Sequence, residues 1–341
     1  MDIRDNNVLI WDVDGVLIYV RESYRKTIVE TVQYYFSELI GLEFGEHLMT
    51  IADTQKFKLV EGFNDDWRVT YACVLCFLAK LVSGLDKDAL TAQMNGDVQG
   101  LEGKLKRLKV LGTLAKDADL KLDLARVTGR IREEGSGLPA AEKALSKMFS
   151  SVPLAKEFWF TDIVKRVFQE MYLGEALFAE KYDYEPMFVK SSGFMRNEKA
   201  IVSLETLERL NAKFYMGIAS GRERFEIEAS LKEHGFSRFI PLDMIVSAEG
   251  VVHGKPDPES LLKCKKKIVR KYGLEAKKSH AVYVGDSIDD VRAAKNAGFY
   301  SVGCLSASTN KEDKANLRAR FVELGCDLIV EDANELSSRM G

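Results

Sequence analysis

Four apolar residues, Val8-Leu9-Ile10-Trp11, run without interruption into Asp12-Val13-Asp14-Gly15, and this junction constrains the chain more than any other feature. A strand with one wet face would alternate apolar and polar residues. A continuous run therefore predicts a strand buried on both faces that ends in a polar loop. Similar runs come late in the chain: Phe214 to Ala219, Met244 to Ser247, Ala281 to Val284, Tyr300 to Leu305 and Asp327 to Val330. Helical patterns lie between them, at Glu223 to His234, Glu259 to Tyr272 and Asp289 to Ala297. Strands alternating with helices predict an α/β fold with a parallel sheet covered on both faces.

The residues from about 20 to 198 carry a different pattern. Glu22 to Leu39 reads as a helix with Tyr24, Ile28, Val32 and Tyr35 near one face, and Asn64 to Val82 as a second, opened by Asn64-Asp65-Asp66 as a cap. Charged helical patterns follow at 101–133, and Thr161 to Tyr172 forms another helix. A mainly α-helical domain, 20–198, is thus expected as an insertion into an α/β domain made of 1–19 and 199–341. Within the insertion, 84–150 is an unusual extension rich in Lys, Glu, Asp and Gly, readable as a helical hairpin or a mobile excursion.

Composition narrows the function classes. Lys+Arg 49 against Asp+Glu 52 gives a net charge of −3, without the positive excess a nucleic-acid surface needs. The densest apolar stretch, Tyr71 to Ala79, is too short to span a bilayer, so no membrane is expected as a partner. The start, Met1-Asp2-Ile3-Arg4-Asp5, lacks a signal pattern, and five scattered cysteines fit a reducing cytoplasm. Cys73-x-x-Cys76 lies inside an apolar helix with no second ligand pair, which favours packing over zinc. The four histidines form no metal-like spacing.

Chemistry concentrates where strands end. Asp12 and Asp14 close the first strand, and the carboxyl edge of a parallel sheet is where ligands bind. Alone, Asp-x-Asp-Gly is also an ordinary turn with solvated aspartates. Gly285-Asp286-Ser287-Ile288-Asp289-Asp290 follows another strand, and alone it reads as an acidic helix start. Taken together, the two clusters form an oxygen-rich site suited to Mg²⁺. Ser220-Gly221-Arg222 follows a third strand, where a hydroxyl and main-chain N–H groups can hold phosphate oxygens, although Ser220 alone is a helix N-cap. Lys255, before the Glu259 to Tyr272 helix, would balance charge beside aspartates and a phosphate, where a lone lysine is normally solvated.

These four blocks, in this order and each after a strand, resemble the haloacid dehalogenase superfamily: Asp12-Val13-Asp14-Gly15-Val16-Leu17, then Ser220, then Lys255, then Gly285-Asp286 with Asp290. The resemblance covers roughly 1–20 and 199–341. It implies a Rossmann-like core with an inserted helical cap, here far longer than a minimal one. It also implies a Mg²⁺-dependent phosphatase of a small phosphorylated metabolite. Asp12 would form an aspartyl-phosphate and Asp14 would act as acid and base. Asp12, Asp14 through its main-chain carbonyl, Asp286 and Asp290 would hold the metal. Ser220, Gly221 and Lys255 would bind the phosphoryl group.

Asp14 argues for phosphoryl transfer over dehalogenation within that superfamily. Phe168 to Gly174 and the insertion point look similar to phosphoglycolate phosphatases. A phosphomutase, a histidinol-phosphate-type phosphatase and a protein that binds a partner through the enlarged cap are the alternatives. For the substrate's non-phosphate part, Arg21, Tyr24, Asn64 and Arg68 are the candidate contacts, against a plain helix start with a buried Trp67.

Overall fold

The computed structural model describes residues 7–63, 65–94, 98–116, 118–276, 278–308 and 310–339. The chain divides into two compact units, one made of Met1–Val20 with Glu198–Gly341 and the other of Arg21–Asn197.

Among the described residues, the first unit is built on eight strands: β1 (Val8–Trp11), β2 (Ile18–Tyr19), β3 (Lys199–Ala200), β4 (Tyr215–Ala219), β5 (Ile245–Val246), β6 (Ala281–Gly285), β7 (Tyr300–Cys304) and β8 (Leu328–Val330). Six of them form one parallel sheet in the order β5-β4-β1-β6-β7-β8, while β2 and β3 pair antiparallel as a separate ribbon. Every residue of β1 is buried, as its uninterrupted apolar run requires. Alternation splits the strand between two cores. Leu9 and Trp11 pack with Leu207, Leu210, Ile227 and Leu231, whereas Val8 and Ile10 pack with Leu261, Cys264, Ile268 and Ala294. Helices therefore cover both faces of the sheet, and β1 pairs with β4 on one side and β6 on the other. That central position sets the residues after β1 beside those after β4 and β6.

The second unit is helical. Lys26–Tyr34 is flanked by wider turns at Arg21–Arg25 and Tyr35–Ile40. Asp66–Ser83 is its apolar core helix, with twelve of its residues from Val69 to Val82 buried. The cap is Asp65, whose carboxylate accepts the N–H of Trp67, whereas Asn64 lies outside the described residues. Trp67 is half-buried beneath Lys165, whose Nζ stands 3.7 Å from the ring centroid, and not fully buried as a plain helix start would have it. The helix from Thr161 breaks at Gly174, φ 73°, and a second helical stretch follows to Tyr182. A Cβ on Gly174 would overlap the main chain at Ser192 and Gly193, so only glycine allows that crossing.

Among the described residues, the stretch 84–150 forms four helices, Lys87–Gln93, Gly100–Leu114, Leu124–Glu134 and Gly137–Met148. Leu90, Leu108, Leu111, Val127, Ile131, Ala141 and Leu145 are buried, so the charged residues are the wet faces of packed helices. Among the described residues no single helix is long and apolar enough to cross a membrane.

Candidate active site

Asp12 extends the β1–β6 pairing by one residue, its N–H donating to the Val284 carbonyl at 2.9 Å. Its carboxylate is buried: Oδ1 accepts the Val13 N–H at 2.9 Å, and Oδ2 lies 2.9 Å from Lys255 Nζ. The chain then folds back sharply. The Val13 carbonyl accepts from Val16, Leu17 and Ile18, and the Gly15 N–H donates to Ile18. Gly15 has φ 71°, and a Cβ there would overlap the Asp286 carboxylate, so this turn and the loop after β6 touch only because the residue has no side chain. Ser306 Oγ donates to the Gly15 carbonyl at 2.5 Å and pins the turn from the loop after β7.

The acidic block after β6 serves two ends at once. Ser287 caps the helix Ile288–Ala297, and Asp290 completes a capping box. Asp290 Oδ2 accepts from the N–H groups of Asp286 and Ser287 and from Ser287 Oγ, while Oδ1 lies 2.6 Å from Lys255 Nζ. The helix-start reading of this block holds for Asp290, whose other oxygen faces Lys255. Oxygens of Asp12, Asp286 and Asp290 all lie within 4.8 Å of one another.

Lys255 thus bridges two carboxylates, and its Nζ also donates to the Tyr283 hydroxyl at 3.0 Å. Tyr283, buried in β6, sits 3.0 Å from the Ala219 carbonyl and 3.1 Å from Asp290 Oδ1. Burial alone would lower the lysine, but Asp12 and Asp290 outweigh it and hold its pKa well above the ordinary value. Burial would likewise raise Asp290, yet Lys255 and the hydrogen bonds from Ser287 win and hold it low. For Asp12 burial prevails over Lys255 and raises the carboxyl, with Asp290 adding to the rise. Asp286 is driven well above the carboxylate range by burial and then by the charges of Asp290 and Asp12. One lysine does not neutralise this cluster. Its all-oxygen donor set and excess negative charge fit a hard divalent cation such as Mg²⁺.

Asp14 takes a different partner from Asp12. Its Oδ1 lies 2.5 Å from Arg222 Nε, and its side chain is 31% exposed where that of Arg222 is 1%. Ser220 is buried beside β5, its N–H donating to the Val246 carbonyl and its Oγ accepting the Arg222 N–H at 3.4 Å. It is not a helix N-cap, since the helix starts at Arg224 and the Glu249 carboxylate accepts the Arg224 N–H. Gly221 is open, with nothing within 4 Å of where a Cβ would stand.

Of the candidate contacts for the substrate's remainder, Arg21, Tyr24 and Arg68 belong to the helical unit, and Asn64 lies outside the described residues. Tyr24 is 4% exposed and stacked on Tyr172 with ring centroids 4.1 Å apart, so its ring is committed to packing. Arg68 is exposed, 3.8 Å from Asp65, and Arg21 opens the first wide turn. Cys73 and Cys76 are buried, and burial pushes the Cys76 thiol up to about 12, as packing residues require.

Arg222 and Tyr283 were not among the residues singled out from sequence. A tyrosine amid the small and aliphatic residues of Ala281 to Gly285 was the available signal for one. For Arg222 the signal was a charge placed between a buried strand and a helix.

Residues 198–304 match the family of haloacid dehalogenase-like hydrolases, a stretch that holds Ser220, Lys255, Asp286 and Asp290. This stretch is thus similar to haloacid dehalogenase-like hydrolases. It is 23% identical over 301 residues to imidazoleglycerol-phosphate dehydratase of Phytophthora nicotianae, covering 88% of this chain and 44% of that protein. It is 30% identical over 121 residues to phosphoglycolate phosphatase of Vibrio cholerae, covering 36% of this chain and 50% of that one. The chain thus spans about half the length of these curated relatives. An X-ray structure of a Northeast Structural Genomics Consortium target superposes with a TM-score of 0.70 over 97% of both chains at 20% identity, a likeness of fold.

Proposed function

We propose that this chain is a Mg²⁺-dependent phosphatase that hydrolyses a small phosphorylated metabolite through an aspartyl-phosphate on Asp12. The observation that carries the reading is the convergence of Asp12, Lys255, Asp286 and Asp290 at the carboxyl ends of β1 and β6. Free cysteines, among them the buried Cys73, Cys76, Cys264 and Cys304, suit the cytoplasmic location that goes with it.

In this mechanism an oxygen of Asp12 bonds to phosphorus as the bond to the leaving oxygen breaks, and Asp14 gives that oxygen its proton. Asp14 then takes a proton from a water that attacks phosphorus, which releases phosphate and restores the Asp12 carboxylate. The exposures suit these roles, since the Asp12 side chain is 8% exposed and that of Asp14 31%. Lys255, with Ser220 and the main chain at Gly221, would hold the phosphoryl oxygens. Mg²⁺ would be held by Asp12, the main-chain carbonyl of Asp14 and Asp286, and when bound it supplies positive charge against the phosphate. Asp290 already has its oxygens engaged by Lys255, Ser287 and Tyr283, so it serves the metal indirectly.

The test is a panel of phosphorylated metabolites with Mg²⁺, scored by phosphate release, with Asp12→Asn beside the wild type. Phosphoglycolate is the first substrate, supported by the Vibrio relative. Histidinol phosphate is the second reading, favoured because the match spanning 88% of the chain is to a protein named for imidazoleglycerol phosphate. Near-normal turnover by folded Asp12→Asn would rule the mechanism out. Isomerisation with little free phosphate would point instead to a mutase.

A further inference from the structure

The side chain of Arg222 is almost wholly enclosed, yet none of the roles above uses it. Its Nε faces Asp14 Oδ1 at 2.5 Å. Its other edge is held by Glu198, with Nη2 at 2.6 Å from Oε1 and Nη1 at 3.3 Å from Oε2. Ser230 Oγ accepts from Nη1 at 2.8 Å and donates to Glu198 Oε2 at 2.7 Å, which closes the ring of bonds. Glu198 and Ser230 are buried as well. A guanidinium clamped on one edge by a carboxylate and a hydroxyl has no freedom to rotate, so its Nε–H points in one fixed direction. That direction is the Asp14 carboxylate.

An enclosed charged network is costly to bury and is weak evidence of stability for its own sake. A lone Arg222–Glu198 pair would already neutralise the arginine. The third partner, Asp14, is the one member that reaches solvent. The main chain of the same segment is fixed too, since the Arg222 N–H reaches Ser220 Oγ and its carbonyl accepts the Ala248 N–H.

We infer that Arg222 is a positioning residue which, braced by Glu198 and Ser230, aims the Asp14 carboxyl at the leaving-group oxygen. The inference rests on the phosphatase reading and adds to it a residue that acts only through Asp14. It therefore matters in proportion to how much the leaving group needs a proton. A p-nitrophenolate departs without one, whereas a benzyl alkoxide does not.

The experiment compares kcat/KM for p-nitrophenyl phosphate and benzyl phosphate, because kcat/KM covers only the steps through leaving-group departure. Arg222→Met alone would strand Glu198 as a buried unpaired charge, so the main variant is Arg222→Met with Glu198→Gln, with Arg222→Lys as a second. The double variant is expected to lose benzyl phosphate turnover at least about tenfold more than p-nitrophenyl phosphate turnover, as loss of an aimed general acid would do. Arg222→Lys, which keeps the charge but not the fork, should fall between. In an Asp14→Asn background the same substitutions should cost nothing further.

Equal losses on both substrates, or losses that multiply with Asp14→Asn, would overturn the inference and leave Arg222 a purely structural residue. Asp12→Asn run in parallel separates the two levels. If it is inactive on both substrates while the Arg222 variants show equal losses, only the positioning role fails. If it retains turnover, the phosphatase reading fails and the positioning role with it.

Discussion

Lys255→Met removes a cation that touches both Asp12 and Asp290, and its cost follows from the geometry. At 2.9 and 2.6 Å, and with an effective dielectric near 20, each attraction is worth about 6 kcal/mol before desolvation is subtracted. Breaking a buried pair by deleting one partner nets about 3–5 kcal/mol, because the other charge is stranded. A stranded carboxyl can escape by taking up a proton, which caps the cost. From the ordinary Asp value of 3.8, about 1.4 kcal/mol per pH unit gives about 4 kcal/mol at pH 7 and about 2 kcal/mol at pH 5.5.

The sign is set by Asp12. Its folded pKa already lies above 3.8 and rises further without Lys255. Stability from such a group is present in acid and lost as pH rises through the folded value, so the deficit of the variant should grow from pH 5.5 to pH 7. Urea denaturation can isolate the α/β unit through Trp11, the buried tryptophan of β1, once Trp67 and Trp159 are replaced by Phe. The expected loss, measured without metal, is about 3–4 kcal/mol at pH 7 and about half that at pH 5.5. A loss below about 1 kcal/mol at pH 7, or one that does not shrink on acidification, would refute the buried-bridge account.

Gly15→Ala should displace the Asp286 carboxylate and strain a φ of 71°, costing about 1–2 kcal/mol in stability and more than tenfold in phosphate release, read by thermal melts and turnover together. Mg²⁺ at millimolar concentration should raise the melting temperature of the wild type, and the rise should vanish with EDTA and in Asp286→Asn. An equal rise in Asp286→Asn would place the cation elsewhere. Cys76, its thiol pushed up to about 12 by burial, should resist iodoacetamide at neutral pH until the chain is unfolded, as mass spectrometry of the alkylated peptide would report.

The strands of the α/β unit were legible because the central ones are almost wholly buried, β1 without a polar residue and β7 with Ser301 alone. Phe214 to Ala219 and Tyr300 to Leu305 differ from β4 and β7 by one residue each. Asp12 and Asp286 were legible for a related reason, each being a charge set at the end of an apolar run, whereas Lys255 and Asp290 were legible through the order of the four blocks. Arg222 was not, because a guanidinium after a strand normally decorates a helix start. Only the packing of Glu198 and Ser230 around it, residues 24 and 8 positions away, shows otherwise. Tyr24 failed in the opposite direction. Its closeness in sequence to Asp14 suggested a contact with ligand, while long-range stacking on Phe168 and Tyr172 decides where its ring lies. The extension 84–150 was ambiguous because its helices alternate charge and apolar residues too sparsely for periodicity alone to separate a packed layer from a solvated excursion.

Asp290 spends one oxygen on the first turn of its helix and the other on Lys255, so the two tasks cannot be altered separately. A designer who wished to change the charge of this site by substituting Asp290 would also unfasten the helix behind it, and would read the damage as lost chemistry. Asp286, whose main-chain N–H rather than its carboxylate joins that cap, is the adjustable position. Retuning the centre is an exercise for residue 286, with 290 left as the hinge pin on which the loop and the helix both hang.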